Sequence, residues 1–363
     1  MNRHSRPALN CRRIEKSICL IFFSILALIA AACAPQTAVE PRPVPQEVAV
    51  TQIPLQGPLS KAKAEVSGLT WYGDHLILLP QYPKGKCAGD DGAIYSIPKQ
   101  DILGCIDGKT GCTLVPQAIR FDSDGLDTII AGFEGFEAIA FHGNTAYLAI
   151  EAGLFGRMSS YLVRGEMSDD LTSLRLDKDQ IVKVPLDVQI SNYSNEALLI
   201  YNDHVVLFYE ANGAAAYPNS RARVYSLDLE EVATLDMPPL EYRLTDVTQP
   251  DDQGRFWASN FFFPLDVKIL PKTDPLVEKW GKGPTHAQTI IVERLVKFQL
   301  PEELQTENGG ISLVDAPPMQ LELAERYLPR NWEGIARLDE RGFLLVTDQL
   351  PGTILAFVPT DKD

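Results

Sequence analysis

Five short segments of this chain each begin with a residue whose side chain bears an oxygen and end, 14 or 15 positions later, with a second polar residue. The first residues are Ser67, Glu137, Glu196, Thr245 and Glu333, and the last are Gln81, Glu151, Glu210, Asn260 and Asp348. Carboxylate and hydroxyl oxygens are the hard ligands that calcium binds, whereas structural zinc sites use Cys and His. If the five first residues meet in space, they predict a calcium site.

Each of the five segments has the sequence pattern of a β-hairpin. The first three turns hold Gly73-Asp74, Gly143-Asn144 and Asn202-Asp203, which tolerate the positive φ angles of tight hairpin turns. The last two turns, 251–254 and 339–342, are longer. The flanking strands are rich in β-branched and aromatic residues, as in 205–209, which is typical of buried strands.

A third strand pattern follows every hairpin, and a more polar fourth follows most of them, for example at 180–184. Repeats of four antiparallel strands are the sequence signature of a β-propeller. We therefore predict an all-β protein, a β-propeller of five blades with four antiparallel strands each. A sixth blade within residues 100–132, where 113–115 and 128–130 resemble strands, is the alternative.

The two ends of the repeat region suggest how the ring closes. The last repeat offers only three strands, while the segment 48–53 precedes the first hairpin with no partner of its own. Pairing these two elements would complete the last blade. We therefore expect residues 47–363 to form a single propeller domain closed by its N-terminal strand.

The innermost strand of each propeller blade runs along the central channel, so the five first residues should converge on one axis. Carboxylates packed together at low dielectric must take up protons or bind a cation, which favours calcium as the cofactor. The residues that end the five segments are expected at the same end of the blades, on the strand next to the innermost one. Of these, Glu151, Glu210 and Asp348 are candidates to position or deprotonate a water molecule, and Gln81 and Asn260 complete a second ring. The alternative is a water-filled channel mouth without metal.

The five segments also resemble sequence motifs of known protein families. The matching motifs are Ser-Gly-Leu from Ser67, Phe-Glu-Ala-Ile around Glu137, Asn-Glu-Ala-Leu around Glu196, Leu-Thr-Asp-Val around Thr245, and Trp-Glu-Gly-Ile around Glu333. Their order resembles the soluble calcium-activated nucleotidase (apyrase) family, which implies a five-bladed propeller with axial calcium. Residues 331–348 also resemble the repeat of the phytase-like, esterase-like propeller group. The two resemblances imply one fold but different substrates.

The expected function is metal-dependent hydrolysis of a phosphoester or an ester. The nucleotidases have an Asp-Asp-Arg-Thr-Gly run after the first hairpin, whereas this chain has residues 80–86 there, which do not match it. The resemblance therefore implies the calcium-binding ring but not the catalytic residues of that family. Hydrolysis of lactones stays open, as does a non-catalytic lipoprotein in which calcium only pins the blades. Serine hydrolysis is disfavoured because no Gly-x-Ser-x-Gly motif occurs.

The N-terminus has the pattern of an export signal. Arg12, Arg13 and Lys16 precede an apolar run from 18 to 29, and three alanines then lead to Cys33. Residues 1–32 are therefore predicted to be a lipoprotein-type signal peptide, with Cys33 lipidated and 33–46 forming a Pro-rich tether. The protein would be anchored in a bacterial cell envelope outside the cytoplasmic membrane. Ordinary secretory cleavage, giving a secreted or periplasmic protein, is the alternative.

Charge and cysteine content narrow the partners. The chain carries a net charge of −15, and residues 33–363 carry 28 basic against 47 acidic residues, a net charge of −19. Such a surface is expected to repel nucleic acid and anionic lipid. The expected partners are the membrane, through the N-terminal lipid, and a small-molecule substrate or an envelope partner, with the chain a monomer. A disulfide is expected most simply between Cys105 and Cys112, leaving Cys87 unpaired.

Overall fold

The structure is a computed structural model that describes residues 45–61, 64–85, 92–108, 111–305, 309–348 and 351–360. The predicted signal segment, Cys33, most of the tether and Cys87 lie outside the described residues. Among the residues that are described, no helix is long and apolar enough to cross a membrane.

The described chain is built mainly from strands, which follow one another in antiparallel groups. The first three groups are β3 (Val66–Tyr72), β4 (His75–Pro80), β5 (Ala93–Pro98) and β6 (Gln117–Asp122); β7 (Phe133–His142), β8 (Thr145–Leu154), β9 (Arg157–Met167) and β10 (Ser173–Val184); and β11 (Asn195–Tyr201), β12 (His204–Tyr209), β13 (Arg221–Ser226) and β14 (Glu231–Asp236). The outer strands β6 and β10 also pair in parallel, which joins the first two groups into one eight-stranded sheet.

The remaining two groups include the N-terminal strands of the described chain. The fourth group holds β15 (Arg243–Val247), β16 (Arg255–Phe262), β17 (Val292–Gln299), β18 (Ser312–Leu313) and β19 (Met319–Leu321), and β1 (Glu47–Val48) pairs with β19. The fifth holds β20 (Trp332–Leu338), β21 (Gly342–Thr347) and β22 (Leu355–Pro359), and β2 (Thr51–Ile53) pairs with β22. Strand β2 thus supplies the fourth strand of the last group.

The inner strands β3, β7, β11, β15 and β20 form a closed ring. Each contacts the inner strand of the next group, and β20 contacts β3. The β-propeller class predicted from the sequence is confirmed. The core lies between neighbouring sheets, as where Phe208, Phe256 and Phe298 pack among buried aliphatic residues of the third and fourth groups.

Antiparallel order gives the ring two distinct faces. The inner strands begin, and the second strands end, at the face that we call the funnel face. The loops from second to third strands and from each group to the next lie on this face. The tight turns of the inner hairpins lie on the opposite face, which we call the turn face. The long loop 263–291 follows β16 and therefore belongs to the funnel face.

In the part of the chain that the structure describes, helices are few and short. They are α1 (Lys99–Ile106), α2 (Leu126–Ile129) and α3 (Pro275–Trp280), with 3₁₀ turns at Pro58–Ser60, Val267–Ile269, His286–Gln288 and Glu325–Tyr327. Residues 128–130, which resembled a strand in the six-blade alternative, form no strand, because they follow Gly125 into α2 and its end. The strand expected at 113–115 is reduced to an isolated bridge between Leu114 and Leu55. Cys105 and Cys112 form a disulfide with a Cα–Cα distance of 5.2 Å.

Candidate functional site

All five inner strands carry a β-bulge at the same position. The pairing register slips between Val66 and Gly68, Phe136 and Ala138, Asn195 and Ala197, Leu244 and Asp246, and Trp332 and Gly334. The residues skipped by the five bulges are Ser67, Glu137, Glu196, Thr245 and Glu333. A bulge leaves one residue outside the ladder and re-aims its side chain. The residues that begin the five sequence segments therefore occupy equivalent positions around the axis.

Most of these residues line one funnel-shaped pocket of about 490 Å³ on the propeller axis. The lining residues are Ser67, Gln81, Tyr82, Glu134, Glu137, Glu151, Asn192, Tyr193, Glu196, Arg243, Phe261, Phe263, Asp266, Pro329, Asn331, Glu333 and Asp348. The structure thus brings four of the five predicted metal ligands and three of the predicted second-ring residues into one cavity. Thr245, Glu210 and Asn260 do not line it and are almost completely buried.

The two hydroxyls of the inner ring link neighbouring blades. The Ser67 hydroxyl donates to the carbonyl of Phe136 at 2.5 Å, and the Thr245 hydroxyl donates to the carbonyl of Trp332. Each acceptor directly precedes a ring glutamate of the next blade. The hydroxyl protons are therefore used between blades, while the oxygens keep lone pairs.

Arg243 is the functional residue that the sequence analysis missed. Its Nη2 lies 3.1 Å from an oxygen of Glu333 and 3.5 Å from one of Glu196, and its Nε donates to Glu210. Its Nη1 donates to Asn331 at 3.1 Å. Among the described residues that line the funnel, Arg243 is the only basic one. One guanidinium therefore neutralises part of the charge of three carboxylates.

The opposite side of the funnel has no such partner. Glu137 accepts a hydrogen bond from the Gln81 amide at 3.0 Å, and neither Glu137 nor Glu151 has an ion pair among the described residues. The Oε2 atom of Glu151 is buried and accepts no hydrogen bond of ordinary geometry there. Gly135 keeps this side open, since a β-carbon would lie 2.2 Å from the Gln81 side chain.

The crowding of carboxylates shifts their acidity. Burial raises the pKa of Glu151 from its ordinary value of 4.5 to about 7, against the lowering effect of the Ser194 hydroxyl. Burial also raises the pKa of Glu333 to about 8, with Arg243 opposing the rise and Asp348 adding to it. Burial and the charge of Glu151 raise the pKa of Glu137. Several funnel carboxyls can therefore hold protons near neutral pH unless a cation replaces those protons.

In four of the five blades the residue after the bulge is glycine or alanine, because the inner strands pack closely. A β-carbon on Gly334 would lie 2.6 Å from Val346 and 2.8 Å from Leu69. The fourth blade has Asp246 at this position, and its buried carboxylate accepts a hydrogen bond from the Ile335 N–H at 2.8 Å. Asp246 therefore ties the fourth blade to the fifth, a role that the sequence analysis did not assign.

The structure changes two second-ring assignments. Glu210 is completely buried against Arg243 and does not reach the funnel, so its place is that of a counter-ion. The fourth hairpin is two residues longer than the first three, so that Phe261, paired with Arg243, occupies the second-ring position. Asn260 lies behind it and donates to the carbonyls of Glu241 and Arg243.

A larger cavity of about 620 Å³ lies on the turn face. Four of its charged residues pair with one another, Arg255 with Asp251 at 2.8 Å and Arg337 with Glu340 at 2.9 Å. Uncompensated charge is a feature of the axial funnel, which is therefore the better candidate site.

The oxygen donors that line the funnel are of the type that binds hard cations. No three His, Cys, Asp or Glu residues of the described chain converge as a metal site. Arg243 lies among Glu196, Glu210 and Glu333 and holds these carboxylates to itself. The uncompensated Glu137 and Glu151, together with hydroxyl oxygens, are the hard-oxygen donors that calcium accepts.

No protein-family model matches the chain, and no curated protein does. The chain is similar to a glucose dehydrogenase structure, with 11% identity, a TM-score of 0.43 and coverage of 86% of this chain and 99% of that one. It is also similar to a putative glycoside hydrolase from Parabacteroides distasonis (10% identity, TM-score 0.46, 90% and 96% covered) and to a Bombyx mori GH32 beta-fructofuranosidase (10%, 0.45, 85% and 61%). The β-propeller fold of this chain follows from its strand pairing and from the closed ring of inner strands.

Proposed function

We propose that the axial funnel is the active site of a calcium-dependent hydrolase that acts on an ester and belongs to an exported lipoprotein. The observation that carries this proposal is the set of five equivalent bulges, each at a hydroxyl or carboxylate residue. Regular strands need no bulge, and bulges are frequent next to active sites. A fivefold repeat of the same irregularity supports a shared role for these side chains at the axis.

In this proposal Glu137 is the principal calcium ligand, because its charge is not shared with Arg243. Ser67, Glu196 and Glu333 line the same funnel and are the further ligands proposed from the other blades, whereas the buried Thr245 is assigned only its hydrogen bond to Trp332. A bound calcium ion would supply Lewis-acid activation of a substrate oxygen. Binding of the ion would be favourable because it would relieve the electrostatic repulsion among the funnel carboxylates.

Glu151 is the proposed general base. It lines the funnel beside Glu137, and burial raises its pKa to about 7 in the protein without a bound cation. A carboxylate in this position can accept a proton from a water molecule in the funnel. Asp348 also lines the funnel and is the candidate to orient the attacking water. Glu210 has no direct part in this chemistry, since it is buried behind Arg243; it would hold the guanidinium in position.

The lining favours a neutral ester over a phosphoester. Tyr82, Tyr193, Phe261 and Phe263 supply apolar and aromatic surface, whereas Arg243 already shares its charge among carboxylates. A phosphate dianion would therefore depend on calcium alone for neutralisation. An uncharged ester or lactone meets no such penalty, and aromatic walls suit its apolar part.

The test is hydrolysis by the full, processed chain of aryl esters, lactones, nucleotides and phytate, in calcium and in chelator. The proposal predicts calcium-dependent release from esters, and loss of at least about 100-fold in kcat for Glu151→Gln. Glu166→Gln is the matched control, since Glu166 is an exposed glutamate near the turn face. Phosphate release instead would correct the substrate class. No turnover in folded protein would contradict the proposal and leave the non-catalytic, calcium-pinned alternative.

A further inference from the structure

A smaller cavity of about 230 Å³ lies beside the axial funnel, between the first two groups of strands. Its walls include Tyr82 from the loop after β4, Phe121 from β6, and Phe133 and Phe136 from β7. All four positions belong to the funnel face, because β4 and β6 end there and β7 begins there. We call this cavity the side pocket.

The four aromatic rings of the side pocket contact one another edge to face. The ring centroids are 6.4 Å apart for Tyr82 and Phe133, 5.2 Å for Phe133 and Phe136, and 5.1 Å for Phe136 and Phe121. Aromatic rings favour this arrangement, and a further ring can join it in the same way. A protein cavity of roughly 150 Å³ with apolar walls already binds benzene. The side pocket therefore has the size and the lining for one aromatic ring.

The polar side chains of the side pocket are paired with one another. The Lys84 ammonium donates to the Ser123 hydroxyl at 2.8 Å and to Asp127 at 3.1 Å, and the Ser123 hydroxyl donates to Asp127 at 2.5 Å. Lys84 and Asp127 thus offset each other's charge, and the buried Ser123 has both a donor and an acceptor. Because these groups already have partners, the pocket favours an uncharged, apolar ligand group.

The side pocket adjoins the uncompensated side of the funnel. Tyr82 lines both cavities. Phe133 and Phe136 of the side pocket are each followed directly by a funnel residue, Glu134 and Glu137. Burial raises the pKa of Tyr82 to about 12, and the charge of Glu137 adds to the rise. A negatively charged ring would be repelled by these carboxylates, whereas a neutral ring would not.

We propose that the side pocket binds one uncharged aromatic ring of the substrate. Ring binding requires only the pocket, whereas the choice of an ester rests on the proposed function. An ester such as methyl phenylacetate or benzyl acetate, with its ring beyond Tyr82, would have its carbonyl group in the funnel. Water is the only co-reactant, and hydrolysis would give the carboxylic acid and the alcohol.

Ring binding is measured without turnover, by fluorine NMR of para-fluorobenzyl alcohol added to the full, processed chain in chelator. Phe133→Ala removes one aromatic wall and should weaken binding at least about fivefold. Ser123→Leu fills the pocket from another wall and should weaken binding as well. The matched control is Phe141→Ala, which removes a partly buried ring of the same strand that contacts Tyr72 at the turn-face end. This control should bind as the parent does, and melting curves confirm that each variant is folded.

The substrate preference is then measured in calcium as kcat/KM for methyl phenylacetate, benzyl acetate and methyl acetate. The first ester carries the ring on the acyl side, the second on the alcohol side, and the third has no ring. We expect one of the two ring esters to exceed methyl acetate at least about tenfold, since burial of an aromatic ring is strongly favourable. Phe133→Ala should reduce this preference at least about fivefold, whereas Phe141→Ala should keep it.

Equal binding of para-fluorobenzyl alcohol by Phe133→Ala and Phe141→Ala, or no binding by the parent, would overturn the assigned ring site. Hydrolysis of the three esters with equal efficiency would overturn it as well. Ring binding without turnover of any ester would support the ring site and contradict the proposed hydrolase, so that the two failures are told apart.

Discussion

Arg243 illustrates how a single side chain can decide the charge of a whole site. Its guanidinium contacts Glu196, Glu210 and Glu333, which come from two other blades, while Glu137 and Glu151 remain without an ion pair among the described residues. The funnel is thus divided into a neutralised side and an uncompensated side. This division assigns Glu210 the place of a counter-ion and makes Glu137 the principal ligand in the proposed cation site.

Loss of Arg243 should therefore destabilise the fold. Arg243→Met leaves the completely buried Glu210 without its counter-ion, and we expect the free energy of unfolding to fall by about 3–5 kcal/mol. Urea denaturation monitored by fluorescence measures this change. The control is Arg255→Met, which breaks a partly exposed pair and should cost less than about 1 kcal/mol. Equal effects of the two variants would contradict the assigned role.

At the scale of elements, the hairpin repeat could be predicted because it depends on local signals. Turn residues, strand composition and constant spacing are visible in the sequence, and they located the ring positions correctly on the inner strands. The bulges were not predictable, since a register slip depends on how two strands pair across a blade. Arg243 could not be identified either, because its contacts with Glu196, Glu210 and Glu333 join three different blades.

The same limit explains the second ring. The sequence spacing assigned Asn260 to it, but the turn of the fourth hairpin takes up one residue more than expected, and Phe261 occupies the position instead. Residues 128–130 show a related failure. Their β-branched composition suggests a strand, yet the left-handed Gly125 and a short connection lead them into a helical turn.

The attachment of strand β1 gives a prediction at this scale. Glu47 accepts hydrogen bonds from Thr285 and His286, and these bonds lower its pKa below 4.5 although burial alone would raise it. Glu47→Ala leaves the partly buried donors of Thr285 and the buried His286 unsatisfied, so we expect the free energy of unfolding to fall by about 1–3 kcal/mol at neutral pH. Hydrogen exchange of β1 should also accelerate. Glu322→Ala, at an exposed glutamate, serves as the control.

The pH dependence of this contact has a definite sign. A carboxyl with a lowered pKa in the folded state stabilises the protein above pH 4.5, and this stabilisation is lost as the pH falls through the folded-state pKa. The stability difference between the parent and Glu47→Ala should therefore shrink in acid. A difference that grows in acid would contradict the assignment.

At the scale of the whole molecule, the propeller concentrates acidic side chains on its axis. Glu151 and Glu333 have pKa values raised to about 7 and about 8, so their protonated forms are favoured by folding. The resulting stability is fully present below pH 4.5 and is lost as the pH rises through these values. We expect the Tm in chelator to fall between about pH 5 and about pH 8, and added calcium to reverse the fall at the upper end.

Melting curves in chelator and in calcium across this pH range provide the measurement. A Tm in chelator that rises steadily through the range would show that the funnel carboxylates are not electrostatically frustrated. Equal calcium effects at low and high pH would show that the ion acts elsewhere, since protons and calcium should compete for the same oxygens.

The most direct test of the central claim is calorimetric titration of calcium into the full, processed protein and into its Glu137→Gln variant. The bulged ring predicts one ion per chain, with binding weakened by more than about tenfold in Glu137→Gln and in Glu333→Gln, because each loses one ligand charge. Glu166→Gln should bind as the parent does. Calcium affinity that is absent from the parent, or unchanged in both ring variants, would contradict the axial site.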